Sequence, residues 1–182
     1  MKPAVFLDRD GVLVRSLLRD GKPSAPRSLA EFEILPEAPD ALGALKEAGF
    51  LLIVVTNQPD VGNGLIERTT VEAMHDRLGR ALPLDGVKVC YHRPSEGCDC
   101  RKPRPGMLRQ AARELAIDMA SSYMVGDRWS DMVVGHSQGC CTVFIDRRQD
   151  QPLPVLADVT VGSLAEAAQA ILARNRPSAA QG

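Results

Sequence analysis

Phe6-Leu7-Asp8-Arg9-Asp10-Gly11-Val12 closes an apolar run that begins at Ala4, and its two aspartates stand two residues apart. The run Ala4-Val5-Phe6-Leu7 reads as a buried strand, so both carboxylates fall at that strand's carboxyl end. In an open α/β sheet this is the end where ligands bind. Carboxylates placed this way can both approach one bound cation and one phosphate. Gly11, directly after them, lets the chain turn sharply away. An isolated Asp-x-Asp-Gly is ordinarily just a polar strand end and a turn. Here further pieces of what reads as one site follow downstream in order.

Five more short apolar runs continue the pattern: Leu51–Val55, Val87–Tyr91, Ser122–Val125, Thr142–Ile145 and the weaker Val159–Val161. Between them the apolar period changes to that of helices. Ala38, Ala41, Leu42, Leu45 and Ala48 share one face, and Gly49 ends that helix. Thr69 with Glu72 predicts a capping box, Pro105 a helix start, and Ser163 with Glu166 a second capping box. Strand and helix alternating in this way predict an α/β fold, a mainly parallel sheet covered on both faces. The polar clusters Asp8-Asp10, Thr56-Asn57-Gln58 and Asp127-Arg128 each follow a strand, so a parallel sheet gathers them at one edge.

Thr56, Asn57 and Gln58 offer a hydroxyl and amides to phosphate oxygens, although Thr-Asn is also a common turn pair. Arg101 and Lys102 supply fixed positive charge. Asp127 can reach a metal directly, and Asp131, one helical turn on, can orient a ligand or cap the helix. Cys90, His92, Cys98 and Cys100 form a second group with the spacing Cys-x-His-x5-Cys-x-Cys. Three thiolates and an imidazole complete a tetrahedral Zn²⁺ set, with no position open to substrate. The expected role is structural, pinning the loop that delivers Arg101 and Lys102; the alternative is a loop of unligated thiols. Cys140 and Cys141 read as small buried side chains.

With 182 residues the chain suits one domain, expected over 1–174 with the zinc loop at 90–100 and a flexible tail at 175–182. A net charge of −1 argues against a surface built for nucleic acid. No apolar stretch reaches the roughly 20 residues needed to span a membrane. The first residues lead straight into a strand, so no secretory leader is read and the cytoplasm is the expected location.

Taken in order, Asp8-x-Asp10, Thr56, Lys102 and Gly126-Asp127-x-x-x-Asp131 resemble the four motifs of the haloacid dehalogenase-like phosphatases. The resemblance implies a Rossmann-like three-layer domain without a large cap, using Mg²⁺ and an aspartyl-phosphate intermediate. Asp8 would be the nucleophile and Asp10 the general acid and base. Mg²⁺ would sit on Asp8, Asp127 and the Asp10 main-chain carbonyl, while Thr56 and Lys102 would stabilise phosphoryl charge. The zinc loop is similar to those of two subgroups, acting on D-glycero-D-manno-heptose 1,7-bisphosphate and on histidinol phosphate. The stretches Cys98–Leu108 and Met119–Asp127 resemble the heptose subgroup more. In that subgroup Asn57, Gln58, Arg101, Arg128 and the segment 16–19 would contact substrate, with Arg19 toward its remote end. Pro59, Asn63, Arg128 and the apolar Leu17-Leu18 depart from the heptose pattern, and the zinc loop is short, as in the histidinol-phosphate subgroup. Histidinol phosphate or another small monoester therefore stays open as substrate. A catalytically idle zinc-stabilised binding module is the reading from another class, and it should have lost Asp8, Asp10 or Lys102. The expected partner is a small phosphorylated metabolite; the oligomeric state is left open, with a monomer allowed.

Overall fold

Residues 1–147 and 157–175 are described by the computed structural model. The chain opens with β1 (Ala4–Leu7), followed by a hairpin of β2 (Leu17–Arg19) and β3 (Lys22–Ser24). Then come α1 (Ala38–Glu47), β4 (Leu51–Asn57), the single turn α2 (Pro59–Gly62), α3 (Arg68–Ala81) and β5 (Gly86–Cys90). The second half runs α4 (Gly106–Leu115), β6 (Tyr123–Gly126), α5 (Trp129–Ser137), β7 (Cys141–Ile145), β8 (Val159–Val161) and α6 (Leu164–Asn175). Six strands form one sheet in the order β5-β4-β1-β6-β7-β8, every pair parallel. That is the doubly wound arrangement of a Rossmann-like domain.

Alternate side chains of each central strand serve opposite faces. Val5, Leu7, Leu52, Val54 and Val125 pack with α1, α3 and α6. Ala4, Phe6, Ile53, Val55 and Met124 pack with α4 and α5. Burial on both faces is why these strands read as unbroken apolar runs. Cys140 is buried as expected, whereas Cys141 is only half-buried.

The predicted cap at Thr69 is not what starts α3. Glu67 holds the N-cap position without a side-chain cap, Thr69 lies inside the helix, and Glu72 accepts from Arg68 Nε at 2.8 Å. At Ser163 the cap is present with its return bond shifted. Ser163 Oγ accepts the Glu166 N–H, and Glu166 Oε2 accepts the Gly162 N–H instead of that of Ser163. The last helix includes Asn175, and the rest of the expected tail, 176–182, lies outside the described residues. Among the described residues no helix is long and apolar enough to cross a membrane.

The β2–β3 hairpin is an addition to what the sequence reading expects. Asp20 and Gly21 both have positive φ, 51° and 71°, and join the strands as a two-residue turn. Asp-Gly is the residue pair such a turn favours.

Candidate active site

The strand order reverses direction at β1, with β4 on one side and β6 on the other. Asp8 follows β1 and Asp127 follows β6, so the topology alone sets these two aspartates side by side at the ligand-binding edge. The Asp8 N–H continues the pairing, donating to the Val125 carbonyl at 3.0 Å. Beyond Asp10 the chain must fold back tightly over Asp127. Gly11 does this at φ +85°, and a Cβ there would lie 2.1 Å from Asp127 Oδ2. Any side chain at position 11 would occupy the space of the Asp127 carboxylate.

Lys102 holds the cluster together. Its Nζ donates to the Val55 carbonyl at 2.8 Å and forms ion pairs with Asp8 Oδ1 at 2.9 Å and Asp131 Oδ1 at 2.6 Å. Burial works against the ammonium, but the charges of Asp131 and Asp8 outweigh it and the pKa is raised. Asn57, at the end of β4, grips the Lys102 backbone by both amide atoms. Its Oδ1 accepts the Lys102 N–H at 3.1 Å and its Nδ2 donates to the Lys102 carbonyl at 3.2 Å. Asp131 also accepts the Arg128 N–H at 3.1 Å, tying the start of α5 to the lysine. Burial raises its pKa to about 6, against the pull of Lys102.

Asp127 is the least compensated carboxylate of this set, with Arg128 Nε as far as 4.0 Å from its Oδ1. Both its carboxylate oxygens are buried without a hydrogen-bond partner. Burial, then the charges of Asp8 and Asp131, push its pKa up to about 8. A carboxylate kept dry, undonated and beside two others is unfavourable unless a cation joins it. One oxygen from each of Asp8, Asp127 and Asp131 falls within a 4.8 Å cluster. Oxygen ligands of this kind suit Mg²⁺. Asp10 would join such a site through its main chain, because its side chain is engaged elsewhere: Gln58 Nε2 donates to Asp10 Oδ2 at 2.7 Å, and the Arg9 guanidinium covers both oxygens.

A cavity of about 400 Å³ opens above these groups, with Asp8, Asp10, Gln58 and Lys102 among its walls. Arg27, Arg101 and Arg128 face it from three segments of the chain, and Arg101 has a buried guanidinium nitrogen with no partner. Thr56 is fully buried below that surface, accepting from Gln58 Nε2 at 2.9 Å. Arg19 is not among the lining residues. It pairs with Glu31 at 2.6 Å and donates to the Ala25 carbonyl. Arg27, eight residues later, lines the cavity in its place, with Nε 2.7 Å from Asp60 Oδ2. Pro23, Ser24 and Ala25 bring the end of the hairpin to the cavity wall.

Behind the lysine lies the Cys/His group. The Cys90–Cys98 and Cys98–Cys100 sulfurs are 3.6 and 3.5 Å apart, and His92 Nδ1 is 3.7 Å from Cys90 Sγ and 3.2 Å from Cys100 Sγ. Tetrahedral Zn²⁺ with bonds of about 2.3 Å to sulfur separates its sulfurs by about 3.7 Å. The donor set and its spacing fit Zn²⁺ and are far too wide for a disulfide. The Gln58 N–H donates to the Cys90 carbonyl at 2.7 Å, linking this group to the end of β4.

A carboxylate cluster and a buried lysine at the switch point of a doubly wound sheet define an α/β enzyme built to handle phosphate. Comparison with known proteins agrees. Residues 99–167 match the HAD-hydrolase-like family model. D-glycero-beta-D-manno-heptose-1,7-bisphosphate 7-phosphatase of Escherichia coli K12 is 35% identical over 97% of each chain. The Pseudomonas aeruginosa protein of that name is 34% identical, over 82% of this chain and 87% of its own. The crystal structure of D,D-heptose 1,7-bisphosphate phosphatase from B. bronchiseptica, complexed with magnesium and phosphate, superposes with a TM-score of 0.81. That match has 31% identity and covers 94% of this chain and 99% of the other. The chain belongs to the haloacid dehalogenase-like phosphatases, hydrolases of phosphoric monoesters.

Proposed function

We propose that this chain hydrolyses D-glycero-D-manno-heptose 1,7-bisphosphate at the 7-phosphate through a phosphorylated Asp8. The observation that carries the reading is one cavity lined by Asp8, Asp10 and Lys102 together with three arginines. The relatives named for that activity, aligned over nearly the whole chain, support the substrate. An Asp8 oxygen attacks phosphorus, and the bond from phosphorus to the ester oxygen breaks. Asp10 gives its proton to the departing alkoxide. Asp10 then takes a proton from water, whose oxygen attacks the same phosphorus. The bond from phosphorus to Asp8 breaks, restoring the carboxylate and releasing inorganic phosphate. Lys102 and the Thr56 segment lower the repulsion between anionic nucleophile and anionic substrate. Mg²⁺ held by Asp8, Asp127 and the Asp10 carbonyl would supply the remaining charge neutralisation when bound.

Zn²⁺ on Cys90, His92, Cys98 and Cys100 would fix the turn that presents Arg101 and Lys102. Metal analysis of purified protein should then return about one tightly held Zn²⁺ per chain. His92→Ala should lower both Tm and activity. Active protein free of zinc or a substitute metal would remove this role.

A bisphosphate leaves one phosphate away from Asp8, and that second charge needs a cation. Arg27 is better placed for it than Arg19, because Arg27 lines the cavity and Arg19 does not. Arg27→Ala should therefore cost the bisphosphate about tenfold or more in kcat/KM, as loss of a charge-assisted contact does, and a simple monophosphate much less. The assay is a panel holding both heptose bisphosphate anomers, histidinol phosphate and a small aryl phosphate. Equal losses across the panel, or a preference for histidinol phosphate, would overturn the assigned substrate.

A further inference from the structure

Arg9 heads the fully buried large side chains of this protein, at 0% exposure. A guanidinium so buried must be matched by acceptors or it destabilises the fold. Although Arg9 stands between two aspartates in sequence, its fork closes on only one. Nε is 3.0 Å from Asp10 Oδ1 and one terminal nitrogen is 3.0 Å from Asp10 Oδ2. The other terminal nitrogen is 3.0 Å from His75 Nε2, on α3. The Phe32 ring covers the guanidinium carbon at 5.6 Å from the ring centroid. Gln58 Nε2 completes the set on Asp10 Oδ2 at 2.7 Å.

Arginine has only donors, so His75 Nε2 must be an acceptor and the ring proton must sit on Nδ1. Burial, reinforced by the charge of Arg9, lowers the His75 pKa to about 3, which keeps the ring neutral in neutral solution. His75 is half-buried and has no place in the phosphoryl chemistry set out above. What it does is hold the far side of the fork. A planar fork fixed at one end orients the carboxylate at the other.

We propose that Arg9 and His75 are positioning residues for Asp10, Arg9 fixing the orientation of its carboxylate and His75 fixing Arg9. The proposal rests on the reading of Asp10 as general acid and base. It assigns a function to α3 beyond covering the sheet. An acid that must meet the ester oxygen and then a water molecule gains from a fixed orientation, since small misplacements cost rate steeply.

The test is made at His75, because removing Arg9 would strand the buried Asp10 carboxylate and endanger the fold. His75→Leu keeps size and helix propensity but removes the acceptor; His75→Gln keeps an acceptor. With an activated aryl phosphate, whose phenolate leaves without a proton, transfer to Asp8 needs little from Asp10, whereas breakdown of the phosphoenzyme still needs it. His75→Leu should therefore keep its first-turnover burst of phenolate while steady-state turnover falls about tenfold or more, within the range of acid–base catalysis. Phosphoenzyme should accumulate, and His75→Gln should recover most of the steady-state rate. A burst and steady state that fall together, an unchanged steady state, or no recovery with Gln would overturn the proposal. Asp10→Asn is run alongside. If it accumulates phosphoenzyme and His75→Leu does not, the positioning role fails alone. If neither does, the acid–base reading of Asp10 falls, and the proposal with it.

Discussion

Asp8→Asn should reduce turnover on the order of 10⁴-fold or more, the scale seen when a nucleophile is removed. The fold should survive. Asp8 Oδ1 accepts from the Arg9 N–H at 2.8 Å and from Lys102 Nζ at 2.9 Å, and an amide oxygen can accept both. What the amide cannot do is attack phosphorus or offer a full charge to a cation. Initial rates on freshly purified variant, checked by mass for deamidation, measure the effect. Near-wild-type turnover would mean that Asp8 is not the nucleophile.

Lys102→Met should damage both activity and stability. The ammonium neutralises two carboxylates that are almost wholly buried, Asp8 and Asp131. Removing one partner of a buried charged set costs about 3–5 kcal/mol, because the others are left uncompensated. Turnover should fall on the order of 10²-fold or more, as for loss of one electrostatic donor at a reaction centre. The stability deficit should depend on pH. Asp131 already has its pKa raised to about 6 by burial, and Lys102 opposes that rise. Without Lys102 the folded-state pKa moves higher, so the variant pays most when pH is high enough to ionise the carboxylate. As pH falls from that higher pKa toward about 6, the variant's carboxyl takes up a proton while that of the wild type stays ionised, and the deficit shrinks. Below about 6 both are protonated and it levels off. Urea titrations of both proteins without Mg²⁺, at several pH values, measure this. A deficit that grows on acidification would contradict it.

The strands were legible because burial on both faces leaves long apolar runs with polar residues at their ends. Those ends made Asp8, Thr56 and Asp127 visible as one edge. The β2–β3 hairpin was harder to read: each strand has three residues, β3 contains Pro23, and neither buries an apolar face. Its signal was the Asp20-Gly21 pair alone. Arg19 and Arg27 could not be separated by sequence, since which one faces the cavity depends on Glu31 capturing the first and Asp60 aligning the second. The inward turn of Arg9 was equally hidden. A charge between two aspartates reads as solvated surface until Phe32 and His75, distant in sequence, enclose it. Asn57, expected at the substrate, lines the cavity and also clamps the Lys102 backbone, a second role that exists only once β4 and the Cys/His loop have met.

The central claim is a covalent intermediate on Asp8, and trapping it tests that claim most directly. Wild-type enzyme mixed with excess labelled substrate and Mg²⁺ is quenched in acid within the first turnover, digested and mapped. The account predicts phosphate on the peptide that carries Asp8, on its side chain, and none on the same peptide from Asp8→Asn. Full release of inorganic phosphate in the first turnover, with no phosphorylated Asp8 at any quench time, would contradict it.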